Sequence, residues 1–362
     1  MKILAAFDSF KESMTAYAAG EAVQRAYNNV HICPLADGGE GTMEVMNHYL
    51  HGDIHEIEVA GPLFKTVHAK LAIMDDLAII ESAQACGLDY LTEEEKNGTE
   101  ATSYGVGEMM KYAYDHGVKR FLLTLGGSAC NDGGIGLLSG MGYGFFDQFD
   151  QRIPMNARGL ETLDHIKKTR LDLSNIEVEG ACDVTNPLCG KEGATYVFGP
   201  QKKVKDLEKT DQAMKHYAKI MSELVGKDDS CVSGAGAAGG MGYAIVTGLN
   251  GKLVTGFDAV SRTVRLEEAI QKADIIFTGE GKMDHQTLYG KTPIGVLRLA
   301  QKYNKPVVAF CGKCEDKETL LEAGFEDVRC INHTDEPLSV LLEKGPQYLE
   351  EEVRRYLEEK NV

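Results

Sequence analysis

The sequence predicts an α/β protein with two domains, and two observations support this prediction. Both ends of the chain alternate short apolar stretches with helical patterns, as in a parallel sheet covered by helices. The middle departs from this rhythm, because residues 66–73 and 77–82 alternate polar and apolar side chains around a turn at Asp75-Asp76. We therefore expect a doubly wound domain built from both chain ends, with a mixed α/β domain inserted between them.

The N-terminal elements begin the doubly wound pattern. Residues 2–7 read as an apolar strand, and a helical pattern follows as far as Ala26. Residues 30–35 read as a second strand, which a glycine-rich turn joins to a helix ending near Tyr49.

The same pattern returns near the C-terminus. Strands are predicted at residues 274–278, 306–311 and 327–331, and helices close the chain. Another helix begins at Pro293, a residue that fits the first helical turn because its missing N–H has no partner there.

The predicted domain boundaries follow from these elements. Residues 1–66 and 265–362 would form the doubly wound domain, and residues 67–264 the inserted one. Ligand sites favour such domain interfaces, so we expect the active site in the cleft between the two domains.

The composition excludes several classes of protein. The 362 residues carry 55 acidic and 38 basic side chains, a formal charge of −17, whereas a protein that binds nucleic acid is usually basic. The longest uncharged stretch, residues 230–251, is too rich in glycine to favour insertion in a membrane. The nine cysteines have no disulfide spacing. We expect a cytoplasmic protein with reduced thiols and small-molecule ligands.

Glycine is enriched, with forty residues or about 11% of the chain against a usual ~7%, and it is concentrated in loops. Residues 234–239 match the dinucleotide-binding fingerprint, but that motif needs a strand directly before it. Residues 227–231 have no strand pattern. Tight backbone packing, or a helix start facing a phosphate, fits the segment better.

Two other glycine-rich loops are candidates for binding an anion. One follows the predicted strand at residues 120–125, and its candidate binding residues are Gly126, Gly127, Ser128 and Asn131. The other is Gly290-Lys291, which opens a predicted helix, where free N–H groups favour a phosphate. A tight turn and a solvated lysine are the structural alternatives.

Acidic side chains follow several predicted strands, where open α/β sheets bind their ligands. The candidates for Mg²⁺ or its waters are Asp37, Glu40, Glu280 and Asp284. Mg²⁺ usually takes one or two carboxylates, with nucleotide phosphates supplying further ligands. Asp8, Ser9 and Lys11 follow the first strand, and Lys11 could bind a phosphate or a carboxylate. Helix capping is the alternative for the acids. Acids, lysines and glycines together suit phosphoryl transfer.

Six segments, taken together, resemble one known family. They are Asp8-Ser9-Phe10-Lys11 with Ser13; residues 34–42; residues 126–134; Cys182-Asp183-Val184 with Asn186-Pro187-Leu188 and Gly190; residues 197–202; and residues 234–240 followed by 278–281, Asp284, Gln286 and Gly290-Lys291. They occur in the family's order across almost the whole chain. On these segments the sequence resembles the bacterial glycerate kinases that form 2-phosphoglycerate.

This resemblance implies a fold and a reaction. The fold would be a flavodoxin-like doubly wound domain from the two chain ends, an inserted α/β domain and a site in the cleft. The reaction would be ATP plus D-glycerate giving ADP and 2-phospho-D-glycerate, with Mg²⁺ bridging the phosphates.

Catalytic roles can be assigned to three residues as hypotheses. Asp183, in a loop with Asn186, would position or deprotonate the acceptor hydroxyl. Lys11 and Lys282 would meet the glycerate carboxylate or the transferring phosphate. A turn aspartate is the structural alternative for Asp183, and the sequence does not separate the ATP loop from the glycerate loop.

The sequence also departs from the family at several positions. Family members usually have Thr at Cys130, Gly at Glu12, Gly-Ala at Lys203-Val204 and Arg at Lys282. Loss of a hydroxyl at Cys130 should alter affinity more than reaction type.

Three other functions stay open. The kinase could act on the 3-hydroxyl or on a related small hydroxy acid. A nicotinamide-dependent hydroxy-acid oxidoreductase would use residues 234–239. A non-catalytic sensor would bind glycerate or nucleotide without turnover.

Overall fold

The computed structural model describes residues 1–39, 41–284, 287, 292–333 and 336–361. The chain folds into two compact units. The first comprises Met1–Asp37, Glu44–Tyr49 and Phe257–Val362, and the second comprises Gly38–Met43 and Leu50–Gly256.

Strands and helices alternate along much of the chain, which confirms the predicted α/β class. The strands are β1 (Ile3–Phe7), β2 (Val30–Ile32), β3 (Asp53–Ala60), β4 (Thr66–Met74), β5 (Leu77–Glu81), β6 (Arg120–Thr124), β7 (Gly144–Phe146), β8 (His165–Lys167), β9 (Glu177–Ala181), β10 (Lys252–Val254), β11 (Ile275–Met283), β12 (Val307–Cys314) and β13 (Asp327–Cys330). The α-helices are α1 (Ala16–Ala26), α2 (Thr42–Leu50), α3 (Ala83–Cys86), α4 (Tyr104–Asp115), α5 (Ile135–Gly140), α6 (Ala194–Phe198), α7 (Leu207–Val225), α8 (Ala237–Tyr243), α9 (Gly256–Thr263), α10 (Leu266–Lys272), α11 (Thr292–Gln301), α12 (Lys317–Glu322), α13 (Leu338–Glu343) and α14 (Gly345–Glu359).

The first unit contains a five-stranded parallel sheet in the order β13-β12-β11-β1-β2. In chain order this is the 2-1-3-4-5 arrangement of flavodoxin-like sheets. The three central strands each contain a buried apolar run, Ile3–Phe7, Ile275–Phe277 and Val307–Cys311, because helices cover both faces of such a sheet. Phe7, Phe277 and Phe310 of three adjacent strands pack with Tyr356 of α14 in its core.

The second unit contains a six-stranded mixed sheet in the order β10-β9-β6-β5-β4-β3. Strands β5, β6, β9 and β10 are parallel, and β3, β4 and β5 form an antiparallel meander. The predicted hairpin around Asp75-Asp76 is therefore confirmed. Because β6 and β9 are parallel neighbours, the loops after Thr124 and Ala181 begin side by side.

Two strands run further than the sequence pattern predicts. The predicted loop at residues 279–284 is mostly strand, because β11 continues to Met283 and pairs with β12 as far as Cys314. This pairing satisfies the backbone polar groups even though Glu280 and Lys282 interrupt the apolar run. Side chains alternate along a strand, so Glu280 and Lys282 lie on one face of β11.

Strand β3 is one of the strands that the sequence pattern did not predict, and it bears on the domain boundary. It pairs along its whole length with β4 and lies in the second unit, whereas the predicted boundary separates the two strands at residue 66. Its side chains are mostly exposed at the sheet edge, so it lacks a continuous apolar signal. The two-domain partition itself stays a prediction. In the part of the chain that is described, no helix has the length and apolar character needed to cross a membrane.

Candidate active site

Carboxylates gather at the carboxyl end of the sheet in the first unit. Asp8 follows β1, and its backbone N–H donates to Gly279 O of the neighbouring β11 at 3.0 Å. The pKa of Asp8 is raised to about 7, mainly by burial, then by the charge of Asp37 and, more weakly, by that of Glu280. Hydrogen bonds from Thr292 Oγ1 (2.6 Å) and Ser9 N (2.7 Å) oppose this rise. Asp37 and Glu280 are therefore each close enough to Asp8 to repel its carboxylate.

Glu280 and Lys282 of β11 have partners of different kinds. Glu280 Oε1 accepts a hydrogen bond from Thr287 Oγ1 at 2.9 Å. Lys282 Nζ lies 3.0 Å from Glu315 Oε2 and 3.2 Å from Asp284 Oδ2. Hydrogen bonds to these two carboxylates raise the pKa of Lys282, and Glu315 has the larger effect. The exposed ammonium of Lys282 is thus held by two acids, and one of them is a predicted Mg²⁺ ligand.

Lys11 lies at the same edge of the sheet. A Cβ built on Gly281 would lie 3.6 Å from Lys11 N, so the backbone after β1 runs against β11. The Lys11 side chain is exposed and forms no ion pair with a described residue. It is therefore available to an anionic ligand. The neighbouring Glu12 has a left-handed backbone with φ 63°. That conformation favours glycine, the residue usual in the family at this position.

An amide-rich turn follows β6 in the second unit. Within the described residues, the backbone N–H groups of Gly126, Gly127 and Ser128 donate to no protein acceptor. Gly127 is exposed and has φ +67°, a conformation that turns successive N–H groups toward one side. Unpaired N–H groups of this kind attract an anion. We call Gly126–Ser128 the amide turn.

Asn131 lies deeper in the same loop. Its side chain is fully buried, and Nδ2 donates to Thr195 Oγ1 of α6 at 2.9 Å. Its Oδ1 is buried and has no hydrogen-bond partner among the described residues. Asn131 therefore lies in the interior, behind the amide turn. The sequence pattern had instead predicted that it binds the ligand.

Asp183 follows β9, the neighbour of β6. Its carboxylate is exposed, and Oδ1 accepts a hydrogen bond from Gly256 N at 3.0 Å. Asn186 lies in the same loop, where Nδ2 donates to Glu192 O at 2.7 Å. The second unit thus places an exposed carboxylate and the amide turn at the ends of adjacent parallel strands.

The turn before α2 approaches these two loops. A Cβ on Gly38 would lie 3.6 Å from Ala181 Cβ at the end of β9, and one on Gly126 would lie 3.7 Å from Gly39 Cα. Buried Glu81, at the end of β5, accepts a hydrogen bond from Met43 N at 2.9 Å and so caps α2. Glu81 could not be predicted from the sequence, because it stands at the end of an apolar strand with no motif around it.

The segment 234–239 packs against the loop after β6. No strand precedes it among the described residues 226–236, in contrast to a dinucleotide-binding fold. Ala238, Gly239 and Gly240 all have positive φ. A Cβ on Gly239 would lie 2.2 Å from Cys130 O, so glycine is required for this close approach. Tight packing, one of the two interpretations that the sequence favoured, accounts for Gly239.

Three of the predicted site residues, Glu40, Gly290 and Lys291, lie outside the described residues. Thr292, which directly follows Lys291, is described and buried, and it bonds to Asp8. Neither Thr292 nor Thr287 was predicted to contribute. No glycine-rich motif marks their side chains.

The acids of the first unit could supply some of the ligands of a divalent cation, but not a complete set. In the described ranges, no three His, Cys, Asp or Glu side chains form a metal-binding group. Mg²⁺ needs only one or two carboxylates when a phosphate and water complete its shell. The repulsion that raises the pKa of Asp8 is what a cation beside Asp37 and Glu280 would relieve. Asp284 fits less well because Lys282 already pairs with it.

A cavity of about 240 Å³ lies away from all these groups. Its lining includes Lys2, His31, Arg265 and Lys272. Lys2 precedes β1 and Lys272 precedes β11, so the cavity is at the amino ends of the strands. The candidate groups follow the carboxyl ends, where sheets of this topology bind their ligands.

Comparison with known proteins extends these observations. Residues 3–359 match the model of the glycerate kinase family. A glycerate kinase from Haemophilus influenzae is 40% identical over an alignment of 362 positions, which covers 96% of each protein. A glycerate 2-kinase from Escherichia coli is 38% identical over 328 residues, covering 87% of this chain and 86% of the relative.

A solved structure gives the same result. The crystal structure of a protein assigned as glycerate kinase 2 from Salmonella typhimurium LT2 superimposes with a TM-score of 0.91 at 37% identity. The match covers 100% of this chain and 98% of the other.

Proposed function

The chain belongs to the glycerate kinase family, and on this premise we propose that it transfers the γ-phosphate of ATP to the 2-hydroxyl of D-glycerate. The products are ADP and 2-phospho-D-glycerate. The kinase class follows from the family. The Escherichia coli relative named glycerate 2-kinase supports the 2-position over the 3-position.

One observation carries the proposal: the exposed carboxylate of Asp183 and the amide turn follow adjacent parallel strands. Phosphoryl transfer needs a base that receives the proton of the acceptor hydroxyl and donors that bind anionic oxygens. Asp183 supplies the first and the amide turn supplies the second.

In the proposed transfer, one phosphorus–oxygen bond forms as another breaks. The oxygen of the 2-hydroxyl forms a bond to the γ-phosphorus as the bond from that phosphorus to the β–γ bridging oxygen breaks. The hydroxyl proton passes to Asp183, and ADP leaves with the bridging oxygen. The acceptor hydroxyl needs a base only as its oxygen attacks, so an exposed carboxylate suffices.

Asp37 and Glu280, with Asp8 beside them, would hold Mg²⁺ in the first unit. When bound, Mg²⁺ neutralises phosphate charge. Lys11 remains a candidate for the carboxylate of glycerate or the transferred phosphate, because its ammonium has no ion-pair partner among the described residues. Lys282 would have to exchange Glu315 and Asp284 for a substrate.

The nine cysteines are all free thiols. Free thiols persist in a reducing compartment, which supports our proposal that the protein acts in the cytoplasm.

An assay of ADP release with purified protein, ATP and Mg²⁺ tests the proposal. We expect release to depend on D-glycerate. Release without glycerate would contradict the assigned acceptor. Absence of release, combined with hydride transfer to a nicotinamide, would favour an oxidoreductase instead.

A further inference from the structure

A lysine lies buried beneath the amide turn. Lys202 is 3% exposed, and its ammonium donates to Ser128 Oγ at 2.9 Å and to Cys130 O at 2.7 Å. Its backbone carbonyl accepts a hydrogen bond from Gly98 N at 2.6 Å, and Gly98 O accepts one from Asn131 N at 3.2 Å. Both the side chain and the backbone of Lys202 are thus fixed to the loop that continues the amide turn.

This lysine has no counter-ion in the described part of the chain. Its two hydrogen-bond acceptors are neutral, and no carboxylate lies within 4.0 Å of its Nζ. Removing an unpaired charge from water is unfavourable. Burial lowers the pKa of Lys202, while Cys130, Cys86 and Asp132, the titratable groups that face it, act in the opposite direction. Without a partner, the charged form is costly.

The hydrogen bond to Ser128 links the buried ammonium of Lys202 to the amide turn. Because Ser128 Oγ accepts a hydrogen bond from Lys202, the Ser128 hydroxyl is free to donate its own hydrogen to another acceptor. A bond to a charged donor polarises the next donor in a chain. The Ser128 hydroxyl therefore adds to the unpaired N–H groups of Gly126 and Gly127.

We propose that Lys202 is a positioning residue whose buried positive charge acts through Ser128 to make the amide turn bind an anionic group of a substrate. The bound anion supplies the counter-charge that Lys202 lacks in the protein alone. The inference rests on the proposed kinase function and deepens it. The anion is a phosphate oxygen of ATP or the carboxylate of glycerate, which share the same chemistry.

The anion also favours the protonated form of Lys202. Binding should therefore be tighter when Lys202 is charged and weaken as the pH rises and the ammonium loses its proton. An arginine guanidinium at this position would stay charged as the pH rises. A purely structural lysine would not give substrate binding this pH dependence.

The test measures the dissociation constants of ATP and of D-glycerate separately, for the wild type, Lys202→Met, Lys202→Arg and Ser128→Ala. Lys203→Met is the matched control, because Lys203 is the next residue, is exposed and pairs with Glu93. We expect Lys202→Met to weaken the binding of one of the two substrates by roughly 10- to 100-fold, the range for the loss of a hydrogen bond to a charged group. Ser128→Ala should weaken the binding of the same substrate, and Lys203→Met should leave the binding of both substrates unchanged.

The pH dependence provides a readout that a folding defect does not mimic. Between pH 7 and pH 10, the wild type should lose affinity for that substrate while Lys202→Arg loses less. The inference is overturned if folded Lys202→Met binds both substrates within about twofold of the wild type. Should Lys202→Met not fold, an unchanged affinity in Ser128→Ala would overturn it. Failure of the proposed function looks different, since the wild type itself would then not phosphorylate glycerate.

Discussion

The carboxylate of Asp8 accepts a hydrogen bond from Thr292 Oγ1 at 2.6 Å, which joins the end of β1 to the start of α11. Both side chains are buried, and the negative charges of Asp37 and Glu280 act on Asp8. Thr292 stabilises the ionised form of Asp8, and burial opposes it. Asp8 is therefore an acid whose charge state changes near neutral pH.

The stability of the protein should fall as the pH rises toward neutrality. The pKa of Asp8 is about 7 in the folded chain, whereas an exposed aspartate has a pKa of 3.8. Between these values the folded state binds more protons, so stability is lost with rising pH, by at most about 4 kcal/mol. Asp8→Asn should remove this loss, which chemical unfolding at pH 5 and pH 8 would reveal. Parallel pH curves for the two proteins would show that Asp8 is not the titrating group.

Asp183→Asn tests the proposed base. An asparagine Oδ1 can still accept the hydrogen bond from Gly256 N, so we expect little change in the free energy of unfolding. Without a carboxylate to receive the proton, kcat should fall roughly 100-fold or more. Thr185→Ala, in the same exposed turn, is the control and should keep wild-type turnover. Turnover near the wild-type value in Asp183→Asn would remove Asp183 from the mechanism.

Gly239→Ala tests the packing role of segment 234–239. Gly239 and Gly226 both have positive φ, but a Cβ on Gly226 would meet nothing within 4 Å. Gly226→Ala should therefore cost only the backbone strain, about 1–2 kcal/mol. Gly239→Ala adds an overlap with Cys130 O and should cost about 1–3 kcal/mol more. Equal losses in the free energy of unfolding would indicate that close packing is not the reason for the glycine.

Much of the fold could be predicted from local patterns. The apolar strands β1, β6 and β12 and the β4–β5 hairpin each have a distinct periodicity, and all were expected. Strand β3 was missed because it is a largely exposed edge strand. The extension of β11 was missed because parallel pairing with β12, a contact between distant segments, decides its length.

The site was only partly predictable for a related reason. Glycines and acids at strand ends identified the amide turn and Asp8, since topology brings strand ends to one edge. Lys202 gave no such signal, because its role depends on burial beneath Ser128, which is 74 residues away in the sequence. Lys203, next to it, has φ 54° where the family usually has glycine, and its side chain pairs with Glu93. The loop thus has the left-handed backbone that favours glycine, and Lys203 adopts it.

The identity of the product tests the central claim most directly. Purified protein, ATP, Mg²⁺ and D-glycerate would be incubated together, and the phosphate ester examined by proton-coupled phosphorus NMR. Phosphate on the 2-oxygen couples to the single hydrogen of C2, and we predict that doublet. A triplet from the CH₂ of a 3-phosphate would contradict the assigned hydroxyl, and the absence of any new ester would contradict glycerate phosphorylation itself.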